Sequence, residues 1–374
     1  MWFFRSPEVV FGEDSLSFLS NLDRERFLIV TDRFLATTTL PGLLKESIGS
    51  NRQFMTFAGI GEEPNEDEIL SSISDIREFN PEVVIGMGGG SAIDSAKIIY
   101  ALNEREDLTP FDITPLEEIG LGKKSILVAV PTTSGTGSDC SWAAVFSGSK
   151  EKRKNEVASP EILPRYSILD PSMVLSLPPE QTRNTATDAI THAVEAYGSH
   201  WRNPYSDAMA EKSLELITGS LTEVIEDPTN VFHRGNVHVG ASMAGMAFSN
   251  SQVGLAHALG HALGARFRIA HGKAVGLFLP SVVKFNYGAV KERYDRLNMI
   301  FPKKFRKESL DRTLTSYFLA IGQAVSVKSA GLDGNEYALL IDEMTDLAME
   351  STGVLTNPAD SDKGRLKEFF GEVI

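Results

Sequence analysis

Cysteine is almost missing from this chain: Cys140 is the only one in 374 residues. That excludes an intrachain disulfide and points to a reducing, cytoplasmic compartment. Basic residues are also short. Lys and Arg number 36 against 50 Asp and Glu, a net charge of −14. Nucleic-acid binders need a basic face, so no nucleic-acid partner is expected, and anionic membrane surfaces are disfavoured. No apolar run approaches the roughly 18 residues of a membrane span. The nearest, 274–283, is broken by Pro280 and Ser281. The N-terminus has no basic region leading into a long apolar stretch, so it does not read as a signal peptide. With 31 Gly and 17 Pro, neither residue is in excess, which removes low-complexity and collagen-like readings.

What remains is a globular composition, 42% hydrophobic and 23% charged. At roughly 150 residues per domain the length predicts two to three domains. The first half alternates. Short apolar runs at 27–31, 54–57, 82–86 and 125–130 read as strands, and 34–48, 65–79 and 91–102 as helices. Asn65 followed by Glu68 is a helix-start signal. The run at 82–86 is nearly all apolar, as in a strand covered on both faces. This spacing argues for parallel βαβ units. From Pro178 onward helical patterns dominate, at 181–198, 207–225, 237–249 and 254–265. A hinge at Pro178-Pro179 therefore predicts an α/β domain over 1–177 and a helical domain over 178–374.

Two loops in the first half have ligand chemistry. Gly86-Met87-Gly88-Gly89-Gly90-Ser91 joins a strand to a helix. Glycines allow close backbone approach, and a helix N-terminus offers N–H groups to a phosphate. The bland alternative is a tight turn. Pro131-Thr132-Thr133-Ser134-Gly135-Thr136-Gly137-Ser138-Asp139 follows the next strand and is rich in hydroxyls. It lies where open α/β sheets bind ligands, and the competing reading is a solvated Ser/Thr loop. Asp32 ends the first of these strands. An acidic residue there accepts from an adenosine ribose and repels a 2′-phosphate, favouring NAD over NADP, although it serves equally as a helix N-cap.

The second half contains ligand-type residues at helical spacing. Asp188 and His192 are four apart, as are His257 and His261, and His271 follows. Carboxylate and imidazole suit zinc or ferrous iron. A lone buried histidine is more often a core residue, but two such pairs in one helical domain are harder to dismiss. Glu195 reads either as an acceptor behind the ligands or as an exposed side chain. His200, His233 and His238 have no spaced partner. The cluster Lys150, Lys152, Arg153, Lys154 reads as a solvated turn or as a phosphate-steering patch.

Together these motifs resemble the iron-dependent (group III) alcohol dehydrogenases, with their dehydroquinate synthase-like fold: a Rossmann-like α/β domain followed by an all-α domain. The likeness rests on Gly88-Gly89-Gly90-Ser91 with Asp94 and Lys97, the 131–138 loop, Asp188 with His192, and 254–257 through His261 to His271-Gly272. The resemblance implies Asp188, His192, His257 and His271 as ligands of Fe2+ or Zn2+, and His261 as a further, catalytic histidine. It places Gly89, Gly90, Ser91, Asp94, Thr132, Thr133 and Thr136 against the cofactor, with Asp32, Asn65 and Lys154 as further contacts, and Phe248 in the substrate pocket. The expected activity is hydride transfer between NAD (NADP as alternative) and an alcohol/aldehyde pair, a primary alcohol first, in a homo-oligomer. Glycerol dehydrogenase-, maleylacetate reductase- and dehydroquinate synthase-like enzymes are the alternatives. Asp139, Ala262 and Ala270 depart from residues common in the family.

Overall fold

A computed structural model describes residues 3–61, 64–148 and 154–374. The chain forms two compact units. Arg5–Thr133 and Gly137–Leu175 make the first, and Ser176–Ile374 with Ser134–Thr136 and the described N-terminal residues Phe3 and Phe4 the second.

The first unit is built on a six-stranded parallel sheet in the order β1-β8-β5-β4-β2-β3. The strands are β1 (Glu8–Phe11), β2 (Arg26–Asp32), β3 (Gln53–Ile60), β4 (Val83–Gly88), β5 (Ile126–Pro131) and β8 (Tyr166–Leu169). β6 (Ala143–Ser147) and β7 (Lys154–Ala158) form a separate antiparallel hairpin. Every residue of β4 is buried, as its unbroken apolar run requires in a central strand. Helices α1 (Leu40–Ile48), α2 (Glu66–Phe79) and α3 (Gly90–Glu104) supply the crossovers. Two apolar clusters built on β2, β4 and β5 side chains form its core.

The four expected strands and the expected helices at 65–79 and 91–102 are present, with bounds shifted by a few residues. The helix expected over 34–48 is not continuous. A short 3-10 turn covers Leu35–Thr37 and α1 begins only at Leu40, with Pro41 in its first turn. Proline fits the first turn, where its missing N–H costs nothing, whereas in a helix interior it loses a hydrogen bond. β1, β8 and the hairpin add four strands that the sequence pattern did not reveal. β1 and β8 have four residues each, too short for a periodicity to register.

The second unit contains no strand among the described residues. Its helices are α4 (Pro179–Gly198), α5 (Pro204–Glu226), α6 (Val231–Ser249), α7 (Leu255–Arg266), α8 (His271–Ile300), α9 (Leu310–Ala320), α10 (Gly334–Met349), α11 (Gly353–Thr356) and α12 (Lys363–Glu372). One apolar cluster runs through α4 to α10 and α12. Glycines set the closest crossings. A Cβ on Gly260 of α7 would lie 2.6–2.9 Å from Val275 of α8, and one on Gly276 would lie 2.4 Å from Thr187 of α4. α4, α7 and α8 therefore meet almost backbone to backbone. No described helix is long and apolar enough to cross a membrane.

Candidate metal centre and dinucleotide loops

In the first unit, the chain passes from β2 to β3 on one side and returns to β4 on the other. The order therefore reverses between β2 and β4. Open α/β sheets bind ligands at such switch points, outside the carboxyl ends of the strands. Asp32 ends β2, and the glycine loop ends β4. Gly88 has φ +155, and a Cβ there would meet Ala92 at 2.6 Å and Asp32 Oδ2 at 3.7 Å, so only glycine fits. Asp32 Oδ1 accepts from Leu35 N–H at 2.8 Å. One oxygen thus makes the local turn, while the other faces the loop.

Gly89 caps α3 without a side chain, so the helix dipole and first-turn N–H groups have no side-chain cap hydrogen bond. Gly90 and Ser91 form that first turn. The neighbouring loop touches this one: Thr132 N–H donates to Gly88 O at 2.9 Å, and Thr133 sits 3.5–3.6 Å from where a Gly89 Cβ would be. The two loops flagged in the sequence are thus one surface.

Asp94 and Lys97 lie deeper. Lys97 is fully buried on α3, and its ammonium donates to Ser138 (3.1 Å), Ser141 (3.0 Å) and the Ala143 carbonyl (2.6 Å), with Asp94 Oδ1 at 3.4 Å. Asp94 also accepts from Ser138 Oγ and from Val145 N–H. Burial pulls the Lys97 ammonium below its ordinary value, and Asp94 opposes that. This node fastens the chain after the hydroxyl loop to α3. Asn65 caps α2 by accepting from Asp67 N–H at 2.8 Å. Lys154 begins β7, but its side chain lies outside the described residues, as do Lys150, Lys152 and Arg153.

In the second unit, Asp188, His192 and Glu195 occupy positions i, i+4 and i+7 of α4, one face of the helix. His257 stands in the first turn of α7 and His271 opens α8. Asp188, His192 and His257 are buried, with one ligand atom from each lying within 4.8 Å of the others. Asp188 Oδ1 is the focus: His271 Nε2 is 3.3 Å away, His257 Nε2 3.6 Å and His192 Nε2 3.9 Å. None of these approaches has hydrogen-bond geometry. Asp188 Oδ1 and His257 Nε2 are buried without a hydrogen-bond partner. Such orphans cost about 1–3 kcal/mol each unless something else satisfies them. Ligands 2.0–2.2 Å from a tetrahedral cation lie roughly 3.4 Å apart, so the spacing and the donor set fit a divalent cation.

The electrostatics agree. Burial disfavours the Asp188 carboxylate, yet His192, His271 and His257 outweigh that and hold it well below the usual range. Burial pushes His192 down to about 3, leaving a neutral imidazole. Burial would also lower His257, but Glu195 and Asp188 raise it to about 9. The Glu195 carboxylate, buried rather than exposed, lies 2.5 Å from His257 Nδ1 and accepts from Ala256 N–H at 2.6 Å.

His261 sits beside the cluster, its ring centroid 5.8 Å from His257 and 5.1 Å from His271. Phe248 stacks on His192 at 4.2 Å, and His192 on His257 at 4.4 Å. Sequence reasoning missed His238, buried on α6 with Nδ1 3.0 Å from Ser134 Oγ of the hydroxyl loop. It also missed the reciprocal amide pair Asn286–Asn357, 2.8 Å in both directions. A Gly254 Cβ would be 3.0 Å from Glu195 Oε1 and 3.3 Å from Asn357 Oδ1, so both side chains border the space beside Gly254.

A parallel α/β unit with a helix N-terminus free of a side-chain cap at its switch point, and a helical unit whose N3O cluster has three of its four members buried, define a two-unit metalloenzyme. Comparison with known proteins gives the particular family. Residues 6–171 match the model for iron-containing alcohol dehydrogenase, and 182–373 that for the Fe-containing alcohol dehydrogenase family, C-terminal. The chain is 31% identical over 375 residues to 1-propanol dehydrogenase PduQ of Salmonella typhimurium, covering 97% of each. It is 29% identical to an NADPH-dependent butanol dehydrogenase of Clostridium saccharobutylicum, covering 97% of this chain and 95% of that one. Among solved structures, 1,3-propanediol oxidoreductase superposes with TM-score 0.92 at 25% identity, covering all of both chains. An iron-containing alcohol dehydrogenase from Thermococcus thioreducens gives TM-score 0.88 at 28% identity, covering 100% of this chain and 99% of that one. The chain belongs to the iron-containing alcohol dehydrogenase family. It is an oxidoreductase of the alcohol dehydrogenase class.

Proposed function

We propose that Asp188, His192, His257 and His271 hold Fe2+ or Zn2+, and that the enzyme interconverts a primary alcohol and its aldehyde with NAD. The observation that carries this reading is the convergence of three imidazole Nε2 atoms on Asp188 Oδ1, which has no hydrogen-bond partner. When bound, the cation supplies Lewis acidity toward the substrate oxygen and the dinucleotide supplies the hydride chemistry.

The chain's own residues do the rest. Gly89, Gly90 and Ser91 present backbone N–H groups to the pyrophosphate at the start of α3. Thr132, Thr133 and Thr136 add hydroxyl donors. Asp94 holds the loops in place through Ser138 and Val145. Asp32 accepts from the ribose hydroxyls and repels a 2′-phosphate, which favours NAD. Asn65 and Lys154 belong to the same cofactor surface. His261, exposed beside the cluster, takes the alcohol proton and passes it to solvent. Phe248, stacked on His192, lines the substrate pocket and excludes water. Residues 1–177 serve the dinucleotide in this reading, and 178–374 the cation and substrate. The single buried thiol supports a cytoplasmic setting. The exposed rings of Phe3 and Phe11 support a homo-oligomer.

The test is a metal assay beside an alcohol and aldehyde panel followed at the absorbance of reduced cofactor. His257→Ala loses metal and turnover together. His261→Ala keeps its metal and turns over slowly. Full metal content in His257→Ala removes that residue from the ligand set and refutes the site.

A further inference from the structure

We infer that Glu195 is a positioning residue that fixes the ring of His257 with its Nε2 lone pair turned to the cation, and that it does so while capping α7 from another helix. The inference rests on the metal site proposed above. It goes beyond that site by assigning a role to a carboxylate that is not one of the four ligands.

The argument begins with a missing cap. Gly254 is the N-cap of α7 and has no side chain to satisfy the first N–H groups of that helix. Glu195 Oε1, 61 residues earlier in the chain, accepts from Ala256 N–H at 2.6 Å. It also places negative charge at the positive end of α7. Its approach is close: a Cβ on residue 254 would lie 3.0 Å from the same oxygen. Thus Gly254 is bare because Glu195 occupies the space.

The second oxygen, Oε2, stands 2.5 Å from His257 Nδ1. A carboxylate only accepts, so Nδ1 must carry the hydrogen. The neutral ring that binds a cation then has its lone pair on Nε2, which faces Asp188 Oδ1 at 3.6 Å. Both oxygens of Glu195 are committed, each to a donor, and both donors lie within two adjacent residues of one helix turn. The helix end and the ligand ring are therefore set by one group.

This makes the isosteric amide the informative change. A glutamine offers one acceptor where two donors need one each. If its oxygen serves Ala256, its NH2 faces Nδ1 and drives the ring hydrogen onto Nε2, the atom the cation needs. If its oxygen serves His257, its NH2 meets the Ala256 N–H. Either way one buried donor pair is opposed. Glu195→Asp keeps the acceptor chemistry but is the larger change in shape. A role in orientation ranks the variants differently from a role in packing.

The experiment uses the full chain, stripped of metal and titrated with Zn2+ against a chromophoric chelator. The thermal midpoint of each metal-free variant is measured alongside. Glu195→Gln should bind Zn2+ 10- to 100-fold more weakly than wild type, the range for losing such an outer partner. Glu195→Asp should retain more affinity than Glu195→Gln. In the Zn2+-loaded wild type, 15N-histidine NMR should show His257 hydrogenated at Nδ1 and bound through Nε2. Zn2+ affinity in Glu195→Gln within twofold of wild type overturns the inference, as does the reverse order of the two variants. If Glu195→Gln melts far below wild type without metal, the NMR assignment in wild type decides: a ring bound through Nδ1 refutes the proposal. Failure of the wild type to bind Zn2+ would instead refute the metal site itself.

Discussion

Gly272 offers the sharpest test of how the proposed metal centre is assembled. It follows His271 in the first turn of α8. A Cβ on it would stand 1.9 Å from the Asn184 carbonyl oxygen, 2.8 Å from the Asn184 carbonyl carbon and 3.0 Å from Asp188 Cβ. The obstructing atoms are mostly backbone of α4, so no rotamer change relieves the clash. Gly272→Ala must push the start of α8 away from α4 by about 1 Å before the worst contact opens even to 3.0 Å. Overpacking of this kind costs about 1–3 kcal/mol. The consequence for the site is larger. His271 Nε2 lies 3.3 Å from Asp188 Oδ1, and metal–ligand distances tolerate only about 0.2 Å. The variant should therefore bind Zn2+ at least about 100-fold more weakly, the top of the range seen when a ligand's support is disturbed. Chelator competition measures this, and thermal unfolding of the metal-free protein measures the packing cost. Gly219→Ala is the control. Gly219 is exposed within α5, and its Cβ would meet nothing within 4 Å. That change should stabilise by about 0.5–1 kcal/mol. Wild-type Zn2+ affinity in Gly272→Ala would refute the claim that backbone contact between α4 and α8 sets the ligand spacing.

Other residues give independent tests. Lys97→Met removes a buried ammonium and leaves Asp94 facing Ser138 without its cation, so urea unfolding should show a loss of about 3–5 kcal/mol. A loss under about 1 kcal/mol would show that the node is not structural. Gln252 has φ +69 in the turn between α6 and α7, a conformation that costs a non-glycine residue about 1–2 kcal/mol. Gln252→Gly should raise the denaturation midpoint, and a fall would mean that its side chain makes compensating bonds. Glu82 accepts from Glu25 N–H at 2.9 Å and Arg26 N–H at 3.1 Å. The first of these bonds does most to lower its pKa, burial opposes it as the next largest influence, and the Arg26 bond and charge add to the lowering. A depressed carboxylate stabilises above its ordinary value of 4.5 and ceases to do so as pH falls through the folded value. Glu82→Gln should then cost about 1 kcal/mol at pH 7 and converge with wild type in acid. A constant gap across pH would remove the charge from the explanation.

The parts of this molecule that were legible in the sequence are those written in local patterns. The apolar runs of β2, β4 and β5, the Gly88–Gly90 turn and the Asp188/His192 spacing each announce themselves within about a dozen residues. The folding of α4 alone brings Asp188, His192 and Glu195 onto one face. What the sequence pattern could not show is which of those three would be joined to what. From its spacing Glu195 reads either as an acceptor behind the ligands or as an exposed carboxylate, and the pattern alone cannot choose between them. The fold makes that choice, because Gly254, 59 residues later, leaves α7 without a side-chain cap and Glu195 turns inward to supply it. Gly272 likewise appears in the sequence only as the residue after His271, whereas its close approach to the Asn184 carbonyl exists only in the fold. Asn357 needs Asn286, and His238 needs Ser134, on segments separated by 71 and 104 residues. A ligand-type residue carries its chemistry in its own side chain, so spacing can reveal it. A residue that orients a ligand carries its chemistry in a contact, and that contact exists only after the chain has folded.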